Sequence, residues 1–572
     1  MLYSKYMSTN KHFFLIFTFF VLLILQVCMP NLGSGFVPRN LISWGFITII
    51  SGFCWSRFCM DEKKILIHKI WLLLFISPFG IILFTIFHNQ SAFPYYPYTA
   101  IFTTFISLLF IGALVNLRLN LEHYYKIGLI ICASMALLTI NTLLSVEYFD
   151  ISKIYRHIPS WLKAVDGGFQ QRNQFASFLA AVSAYFYFVS AMSTQKKFKL
   201  IIFAFFYILF SIMILYSGSR TGLITLVAST LMLNAWSFRL NRSRQYILIS
   251  ISSLIFAFLI TNYLIPHIST YSRLTDLESG MSTLTRLTDL ESGMSTLTRL
   301  TFFKVTWHMF LDAPMIGHGL GSFTIIYPNT LVRLIEQGYQ LKFLDNLTHP
   351  HNEILLWLSE TGIVGFLLIV CPWIFSAIYI LSINKKYSLA LFACLFPILF
   401  HAQVEFPLQD SSLHWLILGI IFSFGLSQSK NNWLQYQIKG RRIQIISFSI
   451  IMGVSILIAS LLFRGAFMQY KLAINTIKEM THEEFVNLNK EPEFSDPLTY
   501  TRAYDIYMGR VNILNTKNKS LLKNFVSFRE GKLKRYFNME DAKFLRELYK
   551  ALGENEKFNE LNHKIEVLER IH

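Results

Sequence analysis

Two histidines one residue apart, His349-Pro350-His351, followed by Asn352 and Glu353, form the densest chemical signal in the chain. Proline holds the residue before it extended, so both imidazoles can project from a rigid turn. A histidine that titrates near neutrality can take a proton from a hydroxyl acceptor; a metal centre would need a third ligand. Arg220 sits in the small-residue turn Ser217-Gly218-Ser219-Arg220-Thr221-Gly222. Backbone N–H groups there can converge with the guanidinium on an anion such as phosphate, although an arginine so placed also suits interfacial anchoring. Arg299 opens an aromatic-rich helix that runs to Pro314 and the cluster Gly317-His318-Gly319-Leu320-Gly321. With no soluble strand before it, that cluster reads as a close-packed turn rather than a nucleotide loop. Gln170, Gln171, Arg172, Asn173 and Gln174 form a polar run that stops where an apolar run begins, as a functional group or as a helix cap. Glu405, in His401-Ala402-Gln403-Val404-Glu405-Phe406-Pro407, can pair with an arginine, orient a histidine or form a buried structural ion pair.

The elements that must position these residues belong in lipid. Of 572 residues, 53% are apolar and only 15% charged, where soluble domains carry about a quarter charged. The mean hydropathy is +0.45. Thirteen apolar runs can each cross about 30 Å of hydrocarbon as a helix, near 12–29, 41–57, 66–88, 99–117, 126–145, 173–193, 198–216, 221–237, 246–265, 363–383, 388–404, 412–428 and 444–464. The expected fold is therefore all-α, a polytopic integral membrane protein with a retained first span. The net charge of +18 comes from Lys and Arg clusters between the runs, such as Lys196-Lys197 and Arg441-Arg442. This is a topology signal, and nucleic acid is not the expected partner. Basic loops mark the cytoplasmic side, and the loops 89–98 and 405–411, which hold no Lys or Arg, face outward. The N-terminus is then cytoplasmic and everything after residue 465 outside. The six cysteines lie in or beside apolar runs with no metal-ligand or disulfide pattern.

The chain divides linearly into a membrane domain, 1–465, with a large outward loop at 266–351, and a C-terminal segment, 466–572. In the loop, Arg273–Thr285 is repeated unchanged as Arg286–Thr298, and a third copy starts at Arg299. A 13-residue period in two copies is a loop duplication, not a solenoid. In the C-terminal segment, Phe544, Leu545, Leu548, Tyr549 and Leu552 recur at helical spacing, and 551–561 reads as helix, glycine turn, helix. A TPR-like hairpin is expected, as a partner-binding surface or a solubilising cap.

In this order, the segments GGFQQRNQFASFLA, SGSRTGLI, RLTFFKVTWHMFLDAPMIGHGLGSF, HPHNEILLWLSETGIVG and HAQVEFPL resemble the O-antigen ligase/polymerase superfamily. The similarity is greatest to the PglL-type protein O-oligosaccharyltransferases. The resemblance implies a bacterial inner-membrane enzyme with its site in the periplasm. It would move a glycan en bloc from undecaprenyl pyrophosphate to Ser or Thr hydroxyls of an acceptor protein such as pilin. By position, Arg220 and Arg299 would bind the pyrophosphate and His351 would be catalytic with His349 beside it. Gln171, Arg172, Asn173, Gln174 and Glu405 fall where the family has functional polar groups. Of the three arginines in the repeated sequence, Arg299 alone precedes the FFKVTW continuation. Pyrophosphate is already a good leaving group, so two guanidiniums can replace a metal, and neither metal nor cofactor is expected. Asp276 with Glu278, and Asp289 with Glu291, read as solvated helix charges. A ligase to lipid A core or a repeat-unit polymerase is the alternative within the class. A transporter of an anionic substrate is the alternative outside it, and predicts symmetric half-repeats with mid-membrane charges.

Overall fold

A computed structural model describes residues 2–26, 38–62, 64–88, 96–147, 169, 171–193, 197–239, 244–264, 296–345, 347–477, 523, 526–527, 529–531, 533–534 and 537–570. Most of the 273–298 duplication, with Arg273, Arg286, both acidic pairs and Gln170, lies outside the described residues.

Nearly every described element is a helix, as it must be where lipid offers backbone groups no hydrogen-bond partner. Among the described residues, ten helices are long and apolar enough to cross a membrane, and three shorter apolar ones, Asn10–Gln26, Ser388–His401 and Ser412–Ser427, accompany them. Together they fall on the thirteen runs read from the sequence, and the all-α polytopic class holds. Contacts group the chain into two compact units, each assembled from three stretches: Met1–Phe75, Thr103–Thr283 and Ile374–Ile477 in the first, and Ile76–Phe102, Leu284–Trp373 and Lys478–His572 in the second.

The first unit is built around Arg172–Met192, in which every residue from Gln174 to Met192 is buried. Its Ala- and Ser-rich sequence lets neighbours come close, as small residues do in membrane bundles. Gly222, on the packed Arg220–Arg239 helix, is one such approach, because a Cβ there would lie 2.4 Å from that of Ala176. The Pro38–Arg57 helix likewise packs along the last long helix, Arg441–Ile477. A Cβ at Gly45 would lie 2.4 Å from the Phe463 ring, and one at Gly52 would lie against the Ser455 hydroxyl. The sequence signals did not reveal a two-stranded antiparallel ribbon, β1 (Lys64–His68) with β2 (Trp433–Gln437), paired from Lys64↔Gln437 to His68↔Trp433. β1 takes the first residues of the expected 66–88 span, whose helix starts at Lys69.

The second unit holds the helices Ile76–Phe87, Thr296–Asp312, Phe323–Glu336, Glu353–Ile369, Met539–Leu552 and Asn555–Glu569. Ile81, Phe84, Leu320 and Ile369 form a buried core with Trp357, Val364 and Leu368 packed on it. The two C-terminal helices make the expected hairpin, turning at Gly553, which takes the left-handed conformation (φ +74°). That is the usual role of glycine after a helix end.

Candidate functional site

The residues singled out from the sequence divide between the units. Gln171, Arg172, Asn173, Gln174, Arg220 and Glu405 lie in the first, and Arg299, His349 and His351 in the second.

In the first unit, polar residues from four separate helix ends and turns meet at one end of the buried helix. The Asn173 Oδ1 accepts from the Ser219 hydroxyl at 2.8 Å, and that hydroxyl accepts from the Gly222 N–H at 3.1 Å. Ser219 thereby caps the helix that Arg220 opens, leaving the Arg220 side chain on the exposed face. Gln174 donates to the Asp410 carboxylate at 3.3 Å and to Gln171 at 3.4 Å. Asn40 donates to the Asp410 carbonyl and accepts from the Ser412 hydroxyl at 3.1 Å. One turn further in, the Ser177 hydroxyl lies 2.6 Å from His401 Nδ1 and 3.1 Å from His414 Nε2, with both rings fully buried. Buried Glu405 is held through its backbone, whose N–H donates to the His401 carbonyl at 2.8 Å. Sequence reasoning missed Ser177, Asp410 and His414; a histidine inside the apolar run after Ser412 was the available signal.

In the second unit the histidine pair is compact. The His349 and His351 ring centroids are 4.4 Å apart, and Thr348 Oγ1 lies 2.9 Å from His349 Nδ1. His351 is buried and stacks on Phe302 at 5.8 Å, with 21° between the planes. Phe302 is three residues from half-buried Arg299, on the same helix face. The backbone at His351 is left-handed, φ +53°, a region uncommon for any residue with a Cβ. Asn352 then caps the next helix, its Oδ1 accepting the Leu355 N–H at 2.9 Å. The chain thus reverses sharply at His351 and enters a helix in the next step, which fixes where the imidazole points.

The glycine cluster is the close-packed turn the sequence suggests. The N–H groups of His318 and Gly319 donate to the Ser359 and Glu360 carbonyls at 3.1 and 2.8 Å. The buried Glu360 carboxylate accepts from Gly321 and Phe323 N–H at 2.9 and 3.1 Å. A Cβ at Gly317 (φ +70°) would fall 2.3 Å from the Glu360 carbonyl carbon, and one at Gly362 (φ +63°) would fall 2.4 Å from that of Met315. The turn therefore clamps the helix that the histidine turn leads into.

Among known families, residues 203–370 match the profile described as O-Antigen ligase, and residues 389–486 match one described as Virulence factor membrane-bound polymerase, C-terminal. No curated protein matches the chain.

Proposed function

We propose, the chain being a member of the O-antigen ligase superfamily, that it transfers a glycan from an undecaprenyl-pyrophosphate carrier to a Ser or Thr hydroxyl of a periplasmic protein. The observation that carries the reading is the compact His349–His351 pair, with His351 stacked on Phe302 of the Thr296–Asp312 helix that carries Arg299. An imidazole takes the proton of the acceptor hydroxyl as its oxygen attacks the anomeric carbon. The carbon–oxygen bond to the pyrophosphate breaks, and the leaving group departs with the electron pair, its charge met by Arg299, while Arg220 is assigned to the pyrophosphate by resemblance. Displacement from the opposite face inverts the anomeric configuration. Arg172, Gln171, Asn173, Gln174 and Glu405 are assigned to binding and orientation by resemblance, and no metal is required.

The topology reading has two supports inside the first unit. The loops assigned to the cytoplasm at 58–69 and 429–442 are joined by the β1–β2 ribbon, and the outward loops holding Asn40, Asn173, Ser219 and Asp410 are hydrogen-bonded to one another. A protein acceptor is favoured by the C-terminal hairpin, which docks in the unit of the histidines. Lys564 Nζ donates to Asn329 at 2.7 Å, and the Met539 N–H donates to Asp345 at 2.8 Å. The match of 389–486 to a polymerase profile supports the second reading, a repeat-unit polymerase.

His351→Ala is expected to abolish transfer from purified lipid-linked donor while leaving membrane insertion intact, and wild-type activity is expected to persist in EDTA. Loss on chelation, restored by one divalent ion, would overturn the metal-free mechanism. Mass spectrometry of surface pilin and lipopolysaccharide with and without the gene separates a protein acceptor from lipid A core.

A further inference from the structure

The Thr296–Asp312 helix is apolar on both faces. Phe302, Val305 and Met309 are buried, while Leu300, Lys304, Trp307 and Leu311, spaced by four, three and four residues, form an exposed stripe. Leu300 is 55% exposed, Trp307 45% and Leu311 51%. Helices that meet water show a polar face there, and contiguous apolar exposure of this kind marks a contact surface. The exposure continues through Met315 and Ile316 just beyond the helix.

Three observations identify what covers the stripe. Just past its C-terminal end, the helix is tied to the start of a transmembrane run: the Pro314 and Met315 carbonyls accept from the Ile363 and Val364 N–H groups at 2.9 and 3.0 Å. Ile363 and Leu367 are themselves exposed at the start of that run, so the helix end lies at the level where lipid contact begins. The polar groups on this side are those of a membrane interface. Lys304 Nζ lies 4.2 Å from the Tyr339 ring centre, with His308 packed edge-on to the same ring, and Trp307 is exposed one turn on along the helix; Lys, Trp and Tyr concentrate at headgroup depth. Leu300 and Leu311 are about 16 Å apart along the axis at 1.5 Å per residue, so only a helix lying along the surface keeps both at the level where the helix end sits.

We infer that Thr296–Asp312 is an interfacial helix, its Leu300–Trp307–Leu311 stripe seated in the adjoining leaflet of the bilayer. Arg299, the residue before the stripe, is then held at the depth of lipid phosphate groups. In the earlier copies of the repeat, Arg273-Leu274-Thr275 and Arg286-Leu287-Thr288 run into Asp-Leu-Glu instead of Phe-Phe-Lys. The seating stands on geometry alone; only the role it gives Arg299 rests on the proposed transfer reaction.

The test uses the full chain in phospholipid nanodiscs, with an environment-sensitive fluorophore on Trp307→Cys, on Leu311→Cys and, as reference, on exposed Gln337→Cys. Labelling of the unsubstituted protein is subtracted for the native cysteines. Blue-shifted emission at 307 and 311, quenched by lipid-borne nitroxides, with neither effect at 337, is the expected result. Equal water exposure at all three positions overturns the inference. Quenching only by a nitroxide on added polyprenyl pyrophosphate also overturns it, because the stripe would then be a groove for the donor's tail. Leu311→Asp is expected to raise KM for the lipid-linked donor about tenfold with kcat unchanged. Seating confirmed by fluorescence with KM unmoved would leave the interfacial helix standing and count against Arg299 as a phosphate ligand.

Discussion

A residue can be made competent or idle by its downstream neighbours. Arg273, Arg286 and Arg299 share the same local sequence, Arg-Leu-Thr. Arg299 lies in a helix whose next turn places Phe302 against His351, and its FFKVTW continuation is absent after Arg273 and Arg286. Arg299→Ala is therefore expected to weaken use of the lipid-linked donor strongly, while Arg273→Ala, and deletion of residues 273–285, leave most activity in place. Donor titration of the three variants in membrane vesicles checks this. Equal losses at Arg273 and Arg299 would mean that the repeated segments act together. The histidines, arginines and glutamines were legible in the sequence because polar residues stand out against apolar runs. The Ser177–His401–His414 contact was not, because its partners are separated by 224 and 237 positions and nothing in their separate segments says that they meet.

At the scale of an element, the turn from Gly317 to Gly321 and the helix from Glu353 form one part. Each of Gly317 and Gly362 is glycine for two independent reasons, a left-handed backbone and a neighbouring carbonyl where a Cβ would have to sit. Gly317→Ala is expected to cost about 1–3 kcal/mol and to lower activity by displacing the helix that follows the histidine turn. Gly338→Ala is the informative control, since it shares the left-handed backbone but has open space around it. Thermal unfolding in detergent should then place Gly317→Ala clearly below Gly338→Ala, and equal losses would reduce the clamp to backbone strain alone. The spans themselves were legible because each is long enough to declare itself without its neighbours. The ribbon was not, because Lys64–His68 and Trp433–Gln437 are each too short and too mixed to signal a strand without the other.

At the scale of the whole molecule, the C-terminal hairpin is attached to the second unit through contacts that titrate. Burial brings the Lys564 ammonium down from 10.5 to about 8, with Glu560 opposing the shift. The docked hairpin thus binds fewer protons than the released one between about pH 8 and 10.5. Attachment should tighten as pH rises through that window and be weakest below it. Lys564→Met should tighten attachment at pH 7 and flatten the dependence. Hydrogen exchange of Asn555–Glu569, followed in a His563→Gln background to remove the exposed pair with Glu336, reads the effect directly. Exchange that speeds up between pH 8 and 10, after correction for the intrinsic rate, would contradict it.

The packing of Pro38–Arg57 along Arg441–Ile477 also has a consequence in time. These helices are separated by most of the polypeptide, and at about 5–20 residues per second the ribosome needs tens of seconds between making the first and the second. Throughout that interval Gly45 and Gly52 lack the Phe463 ring and Ser455 hydroxyl that lie against them in the finished chain. A nascent chain stalled anywhere before residue 441 therefore displays an unfinished helix face, a mark by which membrane quality control could distinguish an incomplete enzyme from a finished one.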